Sequence, residues 1–331
     1  MKNSIRQFSG MLFCIALTFA ACKKSDVTSG DNNSTNNPIV ELGKISTNQA
    51  NFAEEMDESD AEINELLAMT DYSFDGIVAQ VDTVRQPLCG STVVRDTLNG
   101  LKRLVITYNG QTCITPRGSI TRNGSIVVSM PLGVRWVDAG AALSVTFNQF
   151  SVTRIRTMPT PDTGYVMING SKTISNVTGG RLGRPQMPAT RDTIIHQVSS
   201  PGMQVTFSDG TTRSWQVQKR RTFISNQVGL IIKSTGLHND GTTSHITEWG
   251  TDRLNVAFTT STPVELVATS GCGFRILSGE VFHKRGTSSV RITFGCDSTG
   301  APLSGCAPRM FKKIVYTDAN GNVAPPVLKP Y

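Results

Sequence analysis

The sequence predicts an all-β protein, built as a large antiparallel β-sandwich or as two packed β-sheets, with a short acidic helix near the N-terminus. From residue 90 onward, runs rich in Val, Ile, Thr, Tyr and Phe alternate apolar and polar side chains, as half-buried strands do. Asn-Gly and Asp-Gly dipeptides punctuate these runs, and no window after residue 83 keeps a helical period. We therefore expect about fourteen to sixteen strands.

The turn dipeptides favour antiparallel pairing, because they readily adopt the positive φ of a two-residue hairpin turn. Eight occur, at residues 75–76, 99–100, 109–110, 123–124, 169–170, 209–210, 240–241 and 320–321. A chain of 331 residues, 38% of them hydrophobic, can bury a full core. Its 30 Gly and 15 Pro are too few for a collagen-like or wholly disordered protein.

Residues 1–21 have the features of a secretion signal. Lys2 and Arg6 precede an uncharged run from Met11 to Ala21, which is too short to span a bilayer as a helix. The run Leu-Thr-Phe-Ala-Ala-Cys that ends at Cys22 resembles the lipobox of bacterial lipoproteins. That resemblance implies cleavage before Cys22, acylation of this residue and lasting attachment to a lipid bilayer. The alternative is a plain signal peptide that leaves Cys22 as an ordinary thiol.

Residues 22–48 are predicted to be a disordered tether, because Asn, Ser, Thr and Gly dominate and almost nothing can be buried. As a flexible coil, the 26 residues from 23 to 48 would have a root-mean-square reach of roughly 28 Å. The folded body could then stand clear of the lipid headgroups.

Residues 49–82 are predicted to be an acidic helical segment. Eleven acidic residues and one lysine give residues 41–82 a net charge of −10. An apolar stripe at helical spacing predicts a helix over roughly residues 50–69; its members are Phe52, Met56, Ile63, Leu66 and Leu67. We expect this helix to dock on the basic β domain, although a solvated acidic spacer is the alternative.

Residues 83–331 are predicted to be the antiparallel β domain, one unit or two related ones. This part carries 27 Lys or Arg and 12 Asp or Glu, a net charge of +15. A basic body raises nucleic acid as a partner, but an exported chain does not meet it routinely and no nucleic-acid motif accompanies the charge. We therefore predict no nucleic-acid partner.

The cysteines after residue 22 are five in number, so one thiol is left over if disulfides form; they are Cys89, Cys113, Cys272, Cys296 and Cys306. The order of features from Cys89 to Cys113 recurs from Cys272 to Cys306, which suggests a duplicated unit and these two pairs. Cys296 is a rival partner for Cys272, because it repeats the spacing of 24 residues. Free buried thiols are a further alternative, and sequence does not decide the connectivity.

No familiar catalytic motif occurs: the chain lacks G-x-S-x-G, H-E-x-x-H, C-x-x-C, Walker-type and G-x-G-x-x-G patterns. We therefore name no catalytic residue, cofactor or metal ligand. His238 and His245 flank a turn and could bind a metal, but two solvent-exposed turn residues are the better explanation. A glycan hydrolase would need two facing carboxylates, and nothing in the spacing selects a pair among Asp209, Asp252, Glu265 and Glu280.

Trp215, Arg220 and Trp249 are the candidate residues of a ligand face. Aromatic and basic side chains together suit a sugar ring or an anionic polysaccharide. Trp215 also alternates with its neighbours as a core residue of a strand would, and the basic run at residues 219–221 fits a solvated sheet face or edge.

Several segments together resemble a family of uncharacterised Bacteroidota lipoproteins. Besides the lipobox, tether and acidic segment, they are residues 104–110 with Cys113, 117–128, 209–215, Cys272 with 278–281, and 290–295. The resemblance covers nearly the whole mature chain and implies an anchored β-rich protein, but it implies no activity and no binding residue. Lys23-Lys24-Ser25-Asp26 departs from the acidic residues that often follow the anchor cysteine in surface-exported members of that phylum.

The resulting expectation is an outer-membrane lipoprotein that faces the periplasm or the cell surface. Its β body would be a non-enzymatic binding or structural module for a glycan or an envelope protein. A glycan-active hydrolase with a carboxylate pair is the alternative. A subunit of a larger surface assembly is a third possibility.

Overall fold

The computed structural model describes residues 38–68, 74, 88–115, 118–155, 165–182, 189–226 and 229–331. The predicted signal segment, Cys22 and the tether up to residue 37 lie outside these residues. The elements are α1 (Pro38–Ala68), β1 (Ser91–Leu98), β2 (Leu101–Thr115), β3 (Gly118–Pro131), β4 (Ala141–Ile155), β5 (Tyr165–Asn176), β6 (Thr193–Phe207), β7 (Thr212–Asn226), β8 (Gly229–Gly236), β9 (Ile246–Thr251), β10 (Ala257–Thr269), β11 (Ile276–Arg285), β12 (Ser288–Cys296), β13 (Phe311–Thr317) and β14 (Val327–Pro330).

The fourteen strands form one antiparallel sheet, which confirms the predicted all-β class and strand number. Neighbours follow chain order from β1 to β8, and β10 to β14 continue the sheet beyond β8. β9 pairs with β7 and with β10. Where the sequence left open two separate sheets, hydrogen bonds join all the described strands into one.

A series of β-bulges crosses the first half of the sheet. The pairing register shifts between β2 and β3, and again at each successive pair up to β6 and β7. Each bulge bends its strand and increases the local twist, so five in adjacent pairs curve this half of the sheet. At Gly124, with φ of +85°, a Cβ would lie 2.2 Å from the carbonyl oxygen of Gln149, so only glycine fits.

Three of the dipeptides predicted to form hairpin turns belong to these strands instead. Residues 109–110 lie within β2, 123–124 within β3 and 169–170 within β5, at or beside the bulges. The positive φ that Gly supplies serves a bulge as well as a turn, which is why the prediction was wrong there. The dipeptide at 99–100 does form the turn between β1 and β2, with φ of +53° at Asn99 and +76° at Gly100.

Helix α1 packs its apolar stripe against the sheet. The five residues of the predicted stripe are each at most 1% exposed and share a core cluster with residues of β1 to β7. Burying each such side chain contributes roughly 1.5–3 kcal/mol. The helix begins at Pro38, well before the predicted start, so residues 38–48 are helical rather than part of a disordered tether. Proline suits the first helical turn, where its missing N–H costs no hydrogen bond.

Two disulfides link parts of the sheet, as the repeat predicted. Cys89 bonds Cys113, and Cys272 bonds Cys306. Each bond joins the residues before a β-hairpin to the end of its second strand or the loop that follows. Cys296, the rival partner, is a buried free thiol. Duplication of the unit remains a prediction.

Candidate ligand-binding cleft and the helix-covered face

The sheet face that contacts α1 is partly basic. Alternation along each strand places Arg122, Arg154, Lys172, Lys219 and Arg221 on the same face as the apolar core residues. All of them are buried or nearly so. A solvated face was expected for residues 219–221, and the structure corrects this for Lys219 and Arg221.

Acidic residues of the helix neutralise these cations. Arg122 contacts Glu62 at 2.7 Å and Glu58 at 2.9 Å. Arg154 pairs with Glu55 and Glu58. The expected docking of the acidic helix on the basic domain is therefore confirmed.

The most buried part of this interface joins two carboxylates of the helix to three cations of the sheet. Lys172 Nζ lies 2.5 Å from Asp60, and Lys219 Nζ lies 2.7 Å from Asp57. Arg221 bridges both carboxylates. Burial by itself would raise the pKa of Asp57, but Arg221 and Lys219 outweigh it, so the pKa of this carboxyl lies below its usual value.

Buried histidines lie beside the interface as neutral groups. His196 stands between the rings of Trp136 and Phe223, with centroids 5.2 and 5.1 Å away. Burial, together with the nearby charge of Arg221, lowers the pKa of His196 to about 3. Burial likewise lowers the pKa of His283 to about 4. Among the described residues, the five cations named above are thus each paired with a carboxylate of the helix, and these two histidines are neutral near pH 7.

The sheet has a discontinuity between β7 and β10, where two strands, β8 and β9, occupy one position. β7 pairs with β9 over Ser214–Val217 and with β8 over Lys219–Asn226. β10 does the same from the other side, with β9 and then β8. β8 and β9 therefore fill one position end to end, and residues 237–245 leave the sheet between them as a loop.

Backbone contacts hold the two ends of this loop together. His238 and Ile246 exchange N–H to carbonyl hydrogen bonds of 3.2 and 3.0 Å, and Thr262 N–H donates to the His245 carbonyl at 2.9 Å. At Gly236 a Cβ would lie 2.1 Å from the carbonyl oxygen of His245, so a larger residue would force the strand ends apart. His245 itself has φ of +57°.

A hydrogen-bonded turn orders the tip of the loop. Asp240 Oδ1 accepts hydrogen bonds from the backbone N–H groups of Thr243 at 2.7 Å and Thr242 at 2.9 Å. The Thr242 hydroxyl donates to the same oxygen at 2.7 Å. These hydrogen bonds, that of Thr243 foremost, lower the pKa of Asp240 to about 2. The carboxylate is thereby committed to the turn.

An open cleft of about 520 Å³ lies at this discontinuity, and we call it the fault cleft. Its polar lining includes Arg220, His238, Asn239, Ser244, His245 and Glu265. Leu237 and Pro263 add apolar surface. The ring of His238 stacks on Trp249, with centroids 4.0 Å apart and planes at 16°. The cleft thus combines donors, acceptors and apolar surface in one place.

The three candidate residues of the predicted ligand face divide between the two sides of the sheet. Trp215 is 1% exposed and belongs to the core cluster that includes the helix. Arg220 is exposed on the other side, where it lines the fault cleft. Trp249 pairs across from Gln216 and therefore shares the face of Arg220. The structure brings Arg220 and Trp249 to one side, with His238, and separates Trp215 from them.

A second open cleft, of about 650 Å³, is lined in part by Arg253, Thr211 and Asn255. Arg253 already has partners there, since it pairs with Asp209, donates to Thr211 and lies over the ring of Phe207 at 4.2 Å. The Arg253 guanidinium is therefore already paired with a carboxylate, whereas Arg220 in the fault cleft has no carboxylate partner among the described residues.

The four candidate carboxylates are in separate ion pairs. Asp209 pairs with Arg253 and Asp252 with Arg285. Glu265 lies 3.8 Å from Lys233, and Glu280 lies 2.9 Å from Arg291. In the described part of the chain, the fault cleft contains one carboxylate, Glu265, and the second cleft contains none.

His238 and His245 line the same cleft. Among the described residues, no group of three or more His, Cys, Asp or Glu side chains is placed to hold a metal ion. The same residues include no helix that is both long and apolar enough to cross a membrane.

Comparisons of the chain with protein-family models, curated proteins and solved structures found no match.

Proposed function

We propose that this protein is a lipid-anchored envelope protein of the outer membrane whose β body binds a glycan in the fault cleft. The observation that carries the proposal is the cleft itself. It holds an exposed guanidinium, an amide, a hydroxyl and two imidazoles beside apolar surface, at a break in an otherwise continuous sheet. Sugars present hydroxyl groups and apolar ring faces, and this lining supplies partners for both.

The anchoring half of the proposal rests on the lipobox-like run that ends at Cys22. Because α1 begins at Pro38, only residues 23–37 separate the proposed anchor from the helix. If these 15 residues form the flexible coil that the sequence predicts, their root-mean-square reach is roughly 19–23 Å. The body would then be held close to the bilayer. Membership of the Bacteroidota lipoprotein family belongs to the same proposal.

The small number of carboxylates in the fault cleft favours a binding module over a glycan hydrolase. Both common hydrolytic mechanisms need two carboxyl groups that face each other across the bond to be cleaved. Glu265 is alone among the described residues of the fault cleft, and Lys233 is its ion-pair partner.

Two measurements on the full chain, expressed with its leader and purified in detergent, test the two halves. Mass spectrometry should find a diacylglyceryl thioether on Cys22, and an unacylated Cys22 would refute the anchor. An array of envelope polysaccharides should yield at least one ligand whose binding is weakened by His238→Ala. The exposed Asn320→Ala, in the loop between β13 and β14, is the matched control. No ligand on the array would refute the glycan, and a protein captured from envelope membranes through the same cleft would replace it.

A further inference from the structure

Arg220 differs from eight of the fifteen described arginines in having no carboxylate partner among the described residues. Eight described arginines form ion pairs with Asp or Glu, at positions 103, 122, 135, 154, 221, 253, 285 and 291. Arg220 forms none, is exposed, and lies inside the fault cleft. A lone guanidinium in a cleft is a ready partner for an anion, because its planar fork matches two oxygens of a carboxylate.

The surroundings of Arg220 do not cancel its charge. Thr235 of β8 lies directly across from it, and Glu265 stands beyond β8 on β10. Two strand spacings separate Arg220 from Glu265, roughly 10 Å. Glu265 is paired with Lys233, at 3.8 Å. The three side chains Arg220, Lys233 and Glu265 together leave one unbalanced positive charge.

From this we infer that the fault cleft binds a saccharide that carries a carboxylate, with the carboxylate on Arg220. The inference rests on the proposed glycan function and narrows it to a uronic acid or a similar acidic sugar. One unbalanced guanidinium matches one negative charge for each bound sugar, which favours a carboxylate over a densely sulfated chain. The hydroxyl of Ser244 and the amide of Asn239 remain available to the hydroxyl groups of the ring.

The decisive experiment compares two ligands that differ only in charge. Titration calorimetry with the full chain in detergent would use tetragalacturonate and its fully methyl-esterified form. We expect the acid to bind at least about tenfold more tightly than the ester. Arg220→Gln should remove this preference, whereas Arg309→Gln, at an exposed arginine outside the cleft, should retain it. The melting temperature of each variant checks the fold.

The outcomes separate the inference from the function it rests on. Equal binding of acid and ester, or a preference for acid that survives Arg220→Gln, would overturn the inference and leave glycan binding intact. Binding of neither ligand, with acidic glycans of the array also unbound while neutral glycans bind, would also overturn it. Absence of every glycan ligand would overturn both.

Discussion

Arg220 and Arg221 are neighbours on β7, yet they lie on opposite faces of the sheet and in opposite electrostatic environments. Arg221 is buried and bridges two carboxylates of the helix. Arg220 is exposed, has no carboxylate partner among the described residues and lines an open cleft. The same side chain thus completes the core on one face and is available to a ligand on the other. Position along the strand, rather than residue type, decides which.

The largest expected effect contrasts these two arginines directly. Arg221→Gln leaves Asp57 and Asp60 short of a buried cation and should lower the free energy of unfolding by about 3–5 kcal/mol. Arg220→Gln should change it by no more than about 0.5 kcal/mol, as is usual for an exposed side chain. Urea unfolding followed by circular dichroism measures both. Similar values for the two variants would contradict the assignment of the faces.

Lowering the pH should reduce the free energy of unfolding, because His196 is buried as a neutral group beside the helix. The pKa of His196 is about 3 in the folded protein and about 6.5 when unfolded, so its contribution is complete above pH 6.5 and declines as the pH falls towards 3. Between pH 6.5 and 5 the loss is about 2 kcal/mol. His196→Phe, which keeps an aromatic ring between Trp136 and Phe223, should remove that part of the pH dependence.

The charged groups near His196 are the same in the wild type and in His196→Phe. Arg221 and Asp60 lie near it, and both remain in the variant. The difference between wild type and variant, measured by urea unfolding at pH 6.5 and pH 5, therefore isolates the imidazole. An unchanged difference at the two pH values would show that His196 takes up a proton in the folded state as readily as in the unfolded one.

The fault cleft should depend on a single glycine. Gly236→Ala would place a Cβ against the carbonyl of His245, and we expect about 1–3 kcal/mol of destabilisation together with weaker ligand binding. Gly241→Ala is the control, because no atom lies within 4 Å of its Cβ position and only the cost of its φ of +88° remains. Thermal melting and binding titration report the two effects. Full binding by Gly236→Ala would argue against the cleft as the site.

The smallest effect should come from an exposed ion pair. Arg291 and Glu280 are 2.9 Å apart, with side-chain exposures of 48% and 15%. Arg291→Gln should cost no more than about 1 kcal/mol, and the difference should shrink further in 1 M salt. A loss as large as that of Arg221→Gln would mean that exposure is not what separates the two classes of ion pair.

Local patterns predicted the fold class, the strand number and the apolar stripe of the helix, because each depends on side-chain period. The two-residue period of β7 also indicates that two of its cations are buried, although the sequence analysis predicted a solvated face for them. Lys219 and Arg221 share the parity of Trp215 and Val217, so the period places them on the core face. The prediction of a solvated face rested on the rule that charged side chains are exposed. That rule fails here because carboxylates of the helix pair with both cations.

The cleft could not be predicted, because it depends on contacts between residues far apart in the chain. That β8 and β9 occupy one position is decided by β7 and β10 together. The stacking of His238 on Trp249 follows from that arrangement, and no pattern in the local sequence indicates it. The early start of α1 was missed because residues 38–48 lack an acidic and apolar period strong enough to distinguish a helix from a tether.

The helix is the first described element of the chain, and its partners come much later. Glu62 meets Arg122 at a separation of 60 residues, and Asp57 meets Arg221 at a separation of 164. During synthesis, Glu62 can therefore meet Arg122 once β3 has emerged, whereas Asp57 has no ion-pair partner from the sheet until β7 has emerged. Such distant contacts slow folding, and an early segment of high negative charge repels its own copies on neighbouring nascent chains while it waits.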